Sequence, residues 1–473
     1  MPKTEEWLYW AKLRETHGPV VSVTVLGQPI VVLNTIEACQ DLMEKRSSIY
    51  SGRPVLQFAG KMVGWDRQMI LSEDGERHRA MRKMFARHIG TPATIREYKD
   101  MQEEETRLFL VEMAQKPEIV LTHLRSAISA MFLKITHGYA IERNRPDPLI
   151  TLIEKAAHEF YLASAPGKWL VDLLPWLYHI PDWLPGAGFK RAAARFRDTN
   201  IKQVEVPIRF VKAQMAGKSA APSFSSHVLD SKPNPLDTEV FPYVATSLYA
   251  GGQDTVTATL GTFFLAMVLY PDAQRKAQEE LARVIGSSTL PTTTDFERLP
   301  YLVALFKEVM RWHTVACINL PHYTTADDTY NGYYIPKGSI ILANLWLIAN
   351  DPNNYSDPSV FKPERFLGEK PELDPLSYVF GFGRRRCPGV ELARTICTYV
   401  MAVTLTIFDI VKARDADGKE ITPPPEFYSS TVCHPKPFPC DVRPRSADAE
   451  LLLKTMRSEV TEQESDAPKL DFS

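Results

Sequence analysis

The stretch Phe380-Gly-Phe-Gly-Arg-Arg-Arg-Cys387-Pro-Gly389 decides the fold and the chemistry that this chain predicts. It follows the pattern Phe-x-x-Gly-x-Arg-x-Cys-x-Gly, and a helical-looking apolar run from Val390 to Phe408 comes directly after it. Cys387 is therefore predicted to start a helix, with Pro388 at a position where a missing N–H costs nothing. The positive end of the helix dipole and the backbone donors there stabilise a thiolate.

The neighbours of Cys387 suit a flat partner that carries carboxylates. Gly383 and Gly389 let the backbone turn tightly and lie close to a plane, Arg385 supplies a fixed cation, and Phe380 opens the pattern. A thiolate, a cation and a glycine-lined surface together predict haem held by cysteine, the ligation that favours O–O cleavage. A buried core thiol or a basic surface turn is the alternative for Cys387 alone, and the ten-residue pattern disfavours it.

The composition is that of an ordinary globular protein, with 473 residues, 44% hydrophobic and 24% charged. A net charge of −2 gives no electrostatic support for nucleic-acid binding. The cysteines form no CxxC cluster, which fits a reducing compartment and mostly inert buried thiols. The sequence contains no run of 18 or more apolar residues, so it predicts no transmembrane helix. Its first residues are polar, so it predicts no signal peptide.

The periodicity predicts a mainly α protein with a smaller β-sheet lobe, built as one domain over residues 1–445. Helices are expected over residues 5–17, 236–270, 273–285 and 298–313, and β-hairpins over residues 20–33 and 328–338. Residues 446–473 are polar and acidic-leaning, which predicts a frayed C-terminal tail.

Glu308 and Arg311 stand three residues apart, so they share one face of a predicted helix. An isolated pair of this kind is more often an exposed surface pair worth about a few tenths of a kcal/mol. Here the flanking residues are apolar, which predicts a buried pair that needs further partners. Arg365, within Phe361-Lys-Pro-Glu-Arg-Phe366, offers one. The three residues are interpreted as a structural clamp under the segment Phe380–Gly389, called the Cys387 loop below.

The longest predicted helix carries Ala250-Gly-Gly-Gln-Asp-Thr255. Two glycines in mid-helix cost about 1 kcal/mol each relative to Ala, so Gly251 and Gly252 are expected to admit a flat ligand or dioxygen. The Thr255 hydroxyl can bond the Gly251 carbonyl, and Asp254 adds an acid, which suits proton delivery to bound oxygen. A pair of packing glycines beside a solvated Asp is the alternative.

These motifs occur in the order found in the cytochrome P-450 family, and the sequence resembles that family from Glu5 to about Pro444. It resembles in particular fungal microsomal members of the O-methylsterigmatocystin oxidoreductase-like and tryptamine 4-monooxygenase-like groups. The stretches that carry this similarity include Glu44–Pro54, Pro166–Asp172 and Trp183–Arg191. The resemblance implies the cytochrome P-450 fold and the cofactor haem b, iron protoporphyrin IX.

The resemblance also implies roles for individual residues. It makes Cys387 the axial iron ligand, Asp254 and Thr255 the oxygen-activating pair, and Glu308, Arg311 and Arg365 the structural triad. The haem propionates are expected to meet Arg385, His322 and Arg82.

Two positions depart from the family pattern. His78 stands where a Trp is usual, four residues before Arg82; it can still donate to a propionate but packs less ring surface. Val256 follows Thr255 where Thr or Ser is commoner, which is expected to tune proton supply.

Microsomal members usually carry an N-terminal membrane helix, and this chain begins where the first amphipathic helix should begin. A trimmed chain, a shortened gene model and a natural soluble form all fit. The expected location is the cytosolic face of the endoplasmic reticulum if an anchor was removed, and otherwise the cytoplasm. Residues 169–189, rich in Trp, Leu, Ile and Pro, fit either peripheral contact with a bilayer or a lid that packs on its own core.

The expected electron donor is NADPH-cytochrome reductase, a flavoprotein, because the chain has no flavin or nicotinamide motif. Arg384, Arg386 and Lys83 fit a basic patch for such an acidic donor, or merely a solvated basic turn. A monomer is expected.

The substrate pocket is expected to be apolar, with a few hydroxyl and amide groups. Its predicted lining includes Phe58, Met62, Trp65, Ile318, Leu320 and Val432, with Asn319 and Tyr428 to orient one polar group. The sequence thus predicts a haem-thiolate monooxygenase that uses O2 to hydroxylate a hydrophobic small molecule. The setting is fungal secondary metabolism of the terpenoid, polyketide or indole class. A haem-thiolate isomerase or dehydratase and a non-catalytic haem-binding paralogue are the alternatives.

Overall fold

The computed structural model describes residues 4–165, 167–459 and 463–472. Pro166, at the edge of one stretch that carries the family resemblance, lies outside these residues, as do 460–462 and 473 of the expected tail. The α-helices are α1 (Glu6–His17), α2 (Ile36–Cys39), α3 (Ser47–Tyr50), α4 (Glu76–Ile89), α5 (Pro92–Arg96), α6 (Lys99–Gln115), α7 (Val120–His137), α8 (Pro148–Ser164), α9 (Leu170–Leu173), α10 (Gly188–Ala216), α11 (Phe224–Asp230), α12 (Pro235–Leu269), α13 (Pro271–Val284), α14 (Pro300–Trp312), α15 (Leu345–Asn350), α16 (Val390–Ile407) and α17 (Ala447–Glu459).

The strands are short, and they are spread along the chain from residue 20 to residue 444. They are β1 (Val20–Val25), β2 (Gln28–Leu33), β3 (His322–Tyr323), β4 (Asp328–Tyr330), β5 (Tyr333–Ile335), β6 (Ile340–Ala343), β7 (Phe408–Lys412) and β8 (Cys440–Pro444). The expectation of a mainly α fold with a smaller β part is confirmed.

The chain divides into two compact units. The first contains residues 4–51, 102–128 and 254–459, and the second contains residues 52–101, 129–253 without 166, and 463–472. The division falls inside α12 between Gln253 and Asp254, so Asp254 and Thr255 belong to the first unit, whereas Gly251 and Gly252 belong to the second.

The largest sheet of the first unit has four strands in the order β1-β2-β6-β3. Its first hairpin turns at Leu26 and Gly27, whose φ angles of 50° and 82° are those of the tight turn that matches strand twist. Strand β2 then runs parallel to β6, and β3 pairs antiparallel with β6. Two further antiparallel pairs, β4-β5 and β7-β8, complete the sheets, and both hairpins expected from the sequence are present.

One apolar core of the first unit connects the four-stranded sheet to the Cys387 loop. Leu33 and Ile341 enter it from the sheet, Met43 enters from the π-helical turn Gln40–Lys45, and Tyr378 and Phe382 enter from the segment just before Cys387. Because such a core is packed without voids, the loop is held by the same side chains that hold the sheet.

The second unit has its own apolar cluster. Phe58 and Trp65 pack in it with Phe160 of α8 and Phe196 of α10, and the Phe58 ring stacks on Trp169 with the centroids 3.6 Å apart. Phe58, Met62 and Trp65 were expected to line the substrate pocket, and each is buried in this cluster.

Two helical segments are long and apolar enough to cross a membrane by length and composition, Pro117–His137 and Val390–Ile407. The bent pair α12 and α13 passes the same test as one broken span, with an angle of 105°. Charged residues interrupt both segments, so a search for continuous apolar runs does not reveal them. In the fold, 67% and 72% of the two spans are buried inside the protein.

The C-terminal region differs from the frayed tail that the sequence predicts. Helix α17 occupies Ala447–Glu459, where Ala449 is fully buried and Met456 is 3% exposed. The Ser446 hydroxyl accepts from the Ala449 amide at the start of this helix. The structure therefore differs from the expectation over α17, where Ala449 and Met456 bury one side of the helix.

Replacing Met456 should test whether α17 is part of the folded core. We expect Met456→Ala to lower the free energy of unfolding by about 2 kcal/mol or more, because the substitution leaves a cavity. Leu451 lies on the same helix and is 63% exposed, so Leu451→Ala serves as the matched control with little expected effect. Urea denaturation measures both variants, and equal small effects would show that α17 is not packed.

Candidate active site

Backbone hydrogen bonds fold the Cys387 loop back on itself. The Cys387 amide donates to the Phe380 carbonyl at 2.8 Å, and the Arg386 amide donates to the Gly383 carbonyl at 3.1 Å. Helix α16 begins only at Val390, with Gly389 at its N-cap. The sequence expectation that Cys387 starts the helix is therefore wrong by three residues: the Cys387 amide is used inside the loop and Gly389 leads into the helix.

Gly383 is required at its position by close packing. Its φ is +53°, and a Cβ atom built there would lie 2.4 Å from the Met43 carbonyl oxygen. No side chain fits such a gap, so only glycine lets the loop rest against the π-helical turn Gln40–Lys45.

All six cysteines lie in the described residues, and Cys387 is the one that is exposed. Burial raises the pKa of Cys39 and Cys397, and it raises the pKa of Cys440 to about 12, so these thiols stay protonated. Cys387 is therefore the cysteine whose sulfur is best placed to meet a ligand.

Two residues expected to bind carboxylates both donate hydrogen bonds to one short backbone segment of the first unit. Arg385 Nε donates to the Ser51 carbonyl at 2.8 Å, and His322 Nδ1 donates to the Tyr50 carbonyl at 2.7 Å. Adjacent carbonyls at the end of α3 thus orient both side chains. A carbonyl only accepts, so Nδ1 of His322 carries a proton.

The position of these carbonyls is fixed by charged side chains. The Tyr50 hydroxyl donates to Asp328 Oδ2 at 2.9 Å, and Arg46 Nη1 donates to both oxygens of Asp328. Burial and the hydrogen bond to Asp328 raise the pKa of Tyr50, which therefore stays neutral. Nothing in the sequence marks Tyr50 and Asp328 as partners, since they lie 278 residues apart.

Arg82 and His78 lie one turn apart on α4 in the second unit. His78 is buried, and its Nδ1 lies 2.8 Å from Ser72 Oγ, which also lies 3.1 Å from the Met69 carbonyl. The contact with Ser72 therefore orients the His78 ring within the second unit. No motif in the sequence marks Ser72 as a partner of His78.

Glu308, Arg311 and Arg365, the residues predicted to act as a clamp, form a buried charge cluster. Arg311 donates from Nε and Nη2 to the two oxygens of Glu308 at 2.7 and 2.8 Å, and Arg365 Nε donates to both at 3.2 and 3.1 Å. The side chains of Glu308, Arg311 and Arg365 are fully buried. Arg365 also pairs with Glu372, so two positive and two negative charges balance.

Backbone groups complete the hydrogen bonds of Arg311 and Glu308, and the sequence does not reveal which groups these are. Arg311 Nη1 donates to the carbonyls of Ala349 and Pro358 at 2.9 Å each, and the Lys362 amide donates to Glu308 Oε1 at 2.7 Å. Burial alone lowers the pKa of Arg311, but the hydrogen bonds and charge of Glu308 outweigh it and raise the pKa. The guanidinium is therefore charged in the core.

The two helix glycines have different environments. A Cβ at Gly252 would lie 2.1 Å from the Phe132 ring, so Gly252 is explained by packing within the second unit. A Cβ at Gly251 would meet nothing within 4 Å. Only Gly251 thus borders open space, as the approach of a ligand requires.

Asp254 and Thr255 are half-buried residues of the first unit. His434 Nε2 lies 2.8 Å from Asp254 Oδ1, a contact that the sequence analysis missed. The Thr255 carbonyl accepts from the Thr259 hydroxyl at 2.9 Å.

A second group of ligand-type side chains does not include Cys387. One ligand atom each from His313, Cys317 and Cys433 lies within 4.8 Å of the others. The surrounding side chains are apolar, and the His313 ring stacks on Phe427 with the centroids 3.4 Å apart. The Cys317 thiol donates to the Thr314 carbonyl and the Cys433 thiol donates to the Ser430 carbonyl, at 3.4 and 3.2 Å.

The sequence matches the family model described as Cytochrome P450 over residues 3–440. It is 49% identical to the cytochrome P450 monooxygenase claR of Ampulloclitocybe clavipes, over 99% of this chain and 88% of that protein. It is 43% identical to cytochrome P450 monooxygenase 208 of Postia placenta, over 96% and 89%. It is 33% identical to the O-methylsterigmatocystin oxidoreductase of Aspergillus flavus, over 98% and 88%.

Removing the charge of Glu308 should destabilise the whole first unit. We expect Glu308→Gln to lower the free energy of unfolding by about 3–5 kcal/mol, because it leaves two buried guanidinium groups without their shared counter-charge. Glu279→Gln is the matched control, since Glu279 pairs with Arg275 on the exposed surface. Denaturant unfolding of both variants measures the difference, and an equal loss in the two would mean that burial adds nothing to the pair.

Proposed function

Because this chain belongs to the cytochrome P450 family and is a haem-dependent monooxygenase, we propose that it hydroxylates an apolar or aromatic small molecule. The proposal includes fungal secondary metabolism as the setting, since curated relatives from fungi are monooxygenases and one is named for O-methylsterigmatocystin. The observation that carries it is the exposed Cys387 in a loop shaped by Gly383.

The family binds haem b through a cysteine thiolate, and the residues near Cys387 fit that group. The Arg385 guanidinium is a cation held by the Ser51 carbonyl, and the His322 ring is a donor held by the Tyr50 carbonyl. Ser51 Oγ is buried, and no hydrogen-bond partner for it is found in the described residues, as expected of a donor that meets a propionate. The propionate contacts that the resemblance implies for Arg82 and His78, which lie in the second unit, stay predictions.

Each residue is proposed to have a limited task. Cys387 would ligate the iron, and Arg385, His322 and Ser51 would bind propionate oxygens. Haem, when bound, supplies the reduction of O2 and the transfer of one oxygen atom to the substrate. Asp254 would hold a proton on its carboxyl group and pass it through the Thr255 hydroxyl. The clamp of Glu308, Arg311 and Arg365 would fix the backbone that supports the Cys387 loop.

The polar contact proposed for the substrate is Asn319. Its amide and its Oδ1 pair with the backbone of Ala343 in β6, at 3.1 and 2.6 Å. Its Nδ2 is buried, and no hydrogen-bond partner for it is found in the described residues, so it offers a fixed donor to a substrate carbonyl or hydroxyl. Tyr428 is 51% exposed and is the weaker candidate for this contact.

The reduced protein with carbon monoxide tests the haem proposal. We expect an absorption band of the thiolate-ligated kind in the wild type, and loss of that band in Cys387→Ser, because an alcohol is a poor ligand for reduced iron. Cys440→Ser is the control and should keep the band. A wild-type band of the neutral-ligand kind would contradict the assignment of Cys387.

The reaction itself separates the alternatives. With a flavoprotein reductase, a monooxygenase consumes NADPH and O2 and adds one oxygen atom to its substrate. An isomerase or dehydratase turns over a peroxide without either, and a non-catalytic paralogue does neither. Arg384, which is exposed within the Cys387 loop, is the residue we propose for contact with the acidic reductase.

The segment from Trp169 to Leu184 fits a membrane contact as well as a lid. Trp169 packs on Phe58, whereas Leu170, Trp176 and Trp183 are 64%, 62% and 80% exposed. Large apolar side chains exposed together favour insertion into the interface of a bilayer. We propose peripheral contact with the cytosolic face of the endoplasmic reticulum through these residues.

Vesicle binding tests this surface. We expect Trp176→Ser and Trp183→Ser to weaken binding to phospholipid vesicles about ten-fold each, because each removes a large apolar side chain from the lipid. Tyr334→Ser is the matched control, since Tyr334 is 67% exposed on a hairpin of the first unit. Co-sedimentation measures binding, and equal loss in all three variants would contradict a specific surface.

A further inference from the structure

The Asp254 carboxylate has a partner that gives it a route to water. His434 Nε2 lies 2.8 Å from Asp254 Oδ1, and the two side chains are 19% and 21% exposed. The residues are 180 positions apart, so folding alone brings them together. The contact therefore joins the acid expected to deliver protons to a ring that reaches solvent.

The backbone around His434 is held on both sides. The Tyr428 amide donates to the His434 carbonyl at 2.8 Å, and the Lys436 amide donates to the Glu426 carbonyl at 2.8 Å. The Cys433 amide donates to the Val315 carbonyl at 2.8 Å. Because the backbone is held on both sides, the His434 ring is oriented toward Oδ1 of Asp254.

Gly261 lets this segment approach α12. A Cβ at Gly261 would lie 3.1 Å from Pro435 Cγ, which is tighter than ordinary contact. Gly261 lies two helical turns after Asp254, on the same face. The residue next to His434 thus packs on the face of α12 that carries Asp254.

Asp254 holds one proton at a time, and it must regain a proton after each transfer to Thr255. Imidazole is suited to this task, because it exchanges protons with water near neutral pH and carries them on either ring nitrogen. A protonated His434 would give its Nε2 proton to Asp254 Oδ1. A half-turn of the ring then presents the other N–H, and water restores the lost proton.

We propose that His434 is a positioning residue that orients Asp254 and reloads it with protons from solvent. The inference rests on the proposed function, since it assigns Asp254 its role in the monooxygenase. Glu426 and Lys436, two charged residues near His434, pair with each other at 2.8 Å on the surface and not with His434 or Asp254. Cys433, the preceding residue, is turned to Cys317 and His313.

Two substitutions separate orientation from proton transfer. His434→Gln keeps an N–H donor for Asp254 but exchanges no protons, whereas His434→Ala removes both. We expect product formation to fall about ten-fold or more in both variants, with a larger solvent deuterium isotope effect than in the wild type. Lys436→Gln is the matched control on the same segment and should leave both quantities unchanged.

The outcomes distinguish this inference from the proposed function. Wild-type turnover and isotope effect in His434→Gln, together with a slow Asp254→Asn, would overturn the relay and leave the monooxygenase proposal intact. Absence of the thiolate band in the wild type would overturn the haem assignment itself. The carbon monoxide spectrum of each variant shows first that the haem site is assembled.

A spectroscopic measurement tests the contact without turnover. In the reduced carbon monoxide complex, which is diamagnetic, ¹⁵N-labelled histidine should show a hydrogen-bonded Nε2 proton that is lost in His434→Gln. We expect Asp254→Ala, in which His434 is intact, to shift this resonance. An unchanged resonance in Asp254→Ala would show that the two side chains are not bonded and would overturn the proposal.

Discussion

Glu308 holds two guanidinium groups in a part of the core that water does not reach, and much of the first unit is arranged around that one carboxylate. A buried charge is costly unless each of its hydrogen-bonding groups is satisfied. The carbonyls of Ala349 and Pro358 and the amide of Lys362 are therefore fixed in place around Glu308 and Arg311. Tyr355, whose ring lies 5.3 Å from the Arg311 guanidinium, bonds Tyr378 just before the Cys387 loop. The clamp is thus continuous with the segment that carries the candidate iron ligand.

The other support of the loop comes from the end of α3. The carbonyls of Tyr50 and Ser51 orient His322 and Arg385, so one turn of backbone aligns two groups suited to a pair of carboxylates. Gly383 lets the loop approach Met43 closely enough for this arrangement. Side chains that are held by backbone groups in this way are ordered without a ligand, which reduces the ordering cost of binding one. The backbone on both sides of His434 is likewise held by hydrogen bonds, which orients the ring toward Asp254.

Strong local patterns made much of the fold predictable. The expected helix at 298–313 is α14, Pro300–Trp312, and the expected long helix at 236–270 is α12, Pro235–Leu269. Patterns failed where packing outweighed composition: α17 is helical although the tail is polar, and α16 begins after Cys387 because the loop uses the Cys387 amide. Gly251 and Gly252 looked alike in sequence, yet Phe132 accounts for Gly252 alone.

The sequence by itself determined the family, the cysteine loop, the pairing of Glu308 with Arg311 and the candidate proton carriers Asp254 and Thr255, because each rests on residues a few positions apart. Only the tertiary structure decided which distant groups serve them. Tyr50 and Ser51 meet His322 and Arg385 across about 270 to 330 residues, and His434 meets Asp254 across 180. Local spacing fixes which side chains share a helix face or a turn. Contacts between distant segments depend instead on how the whole core packs, and no local pattern records that.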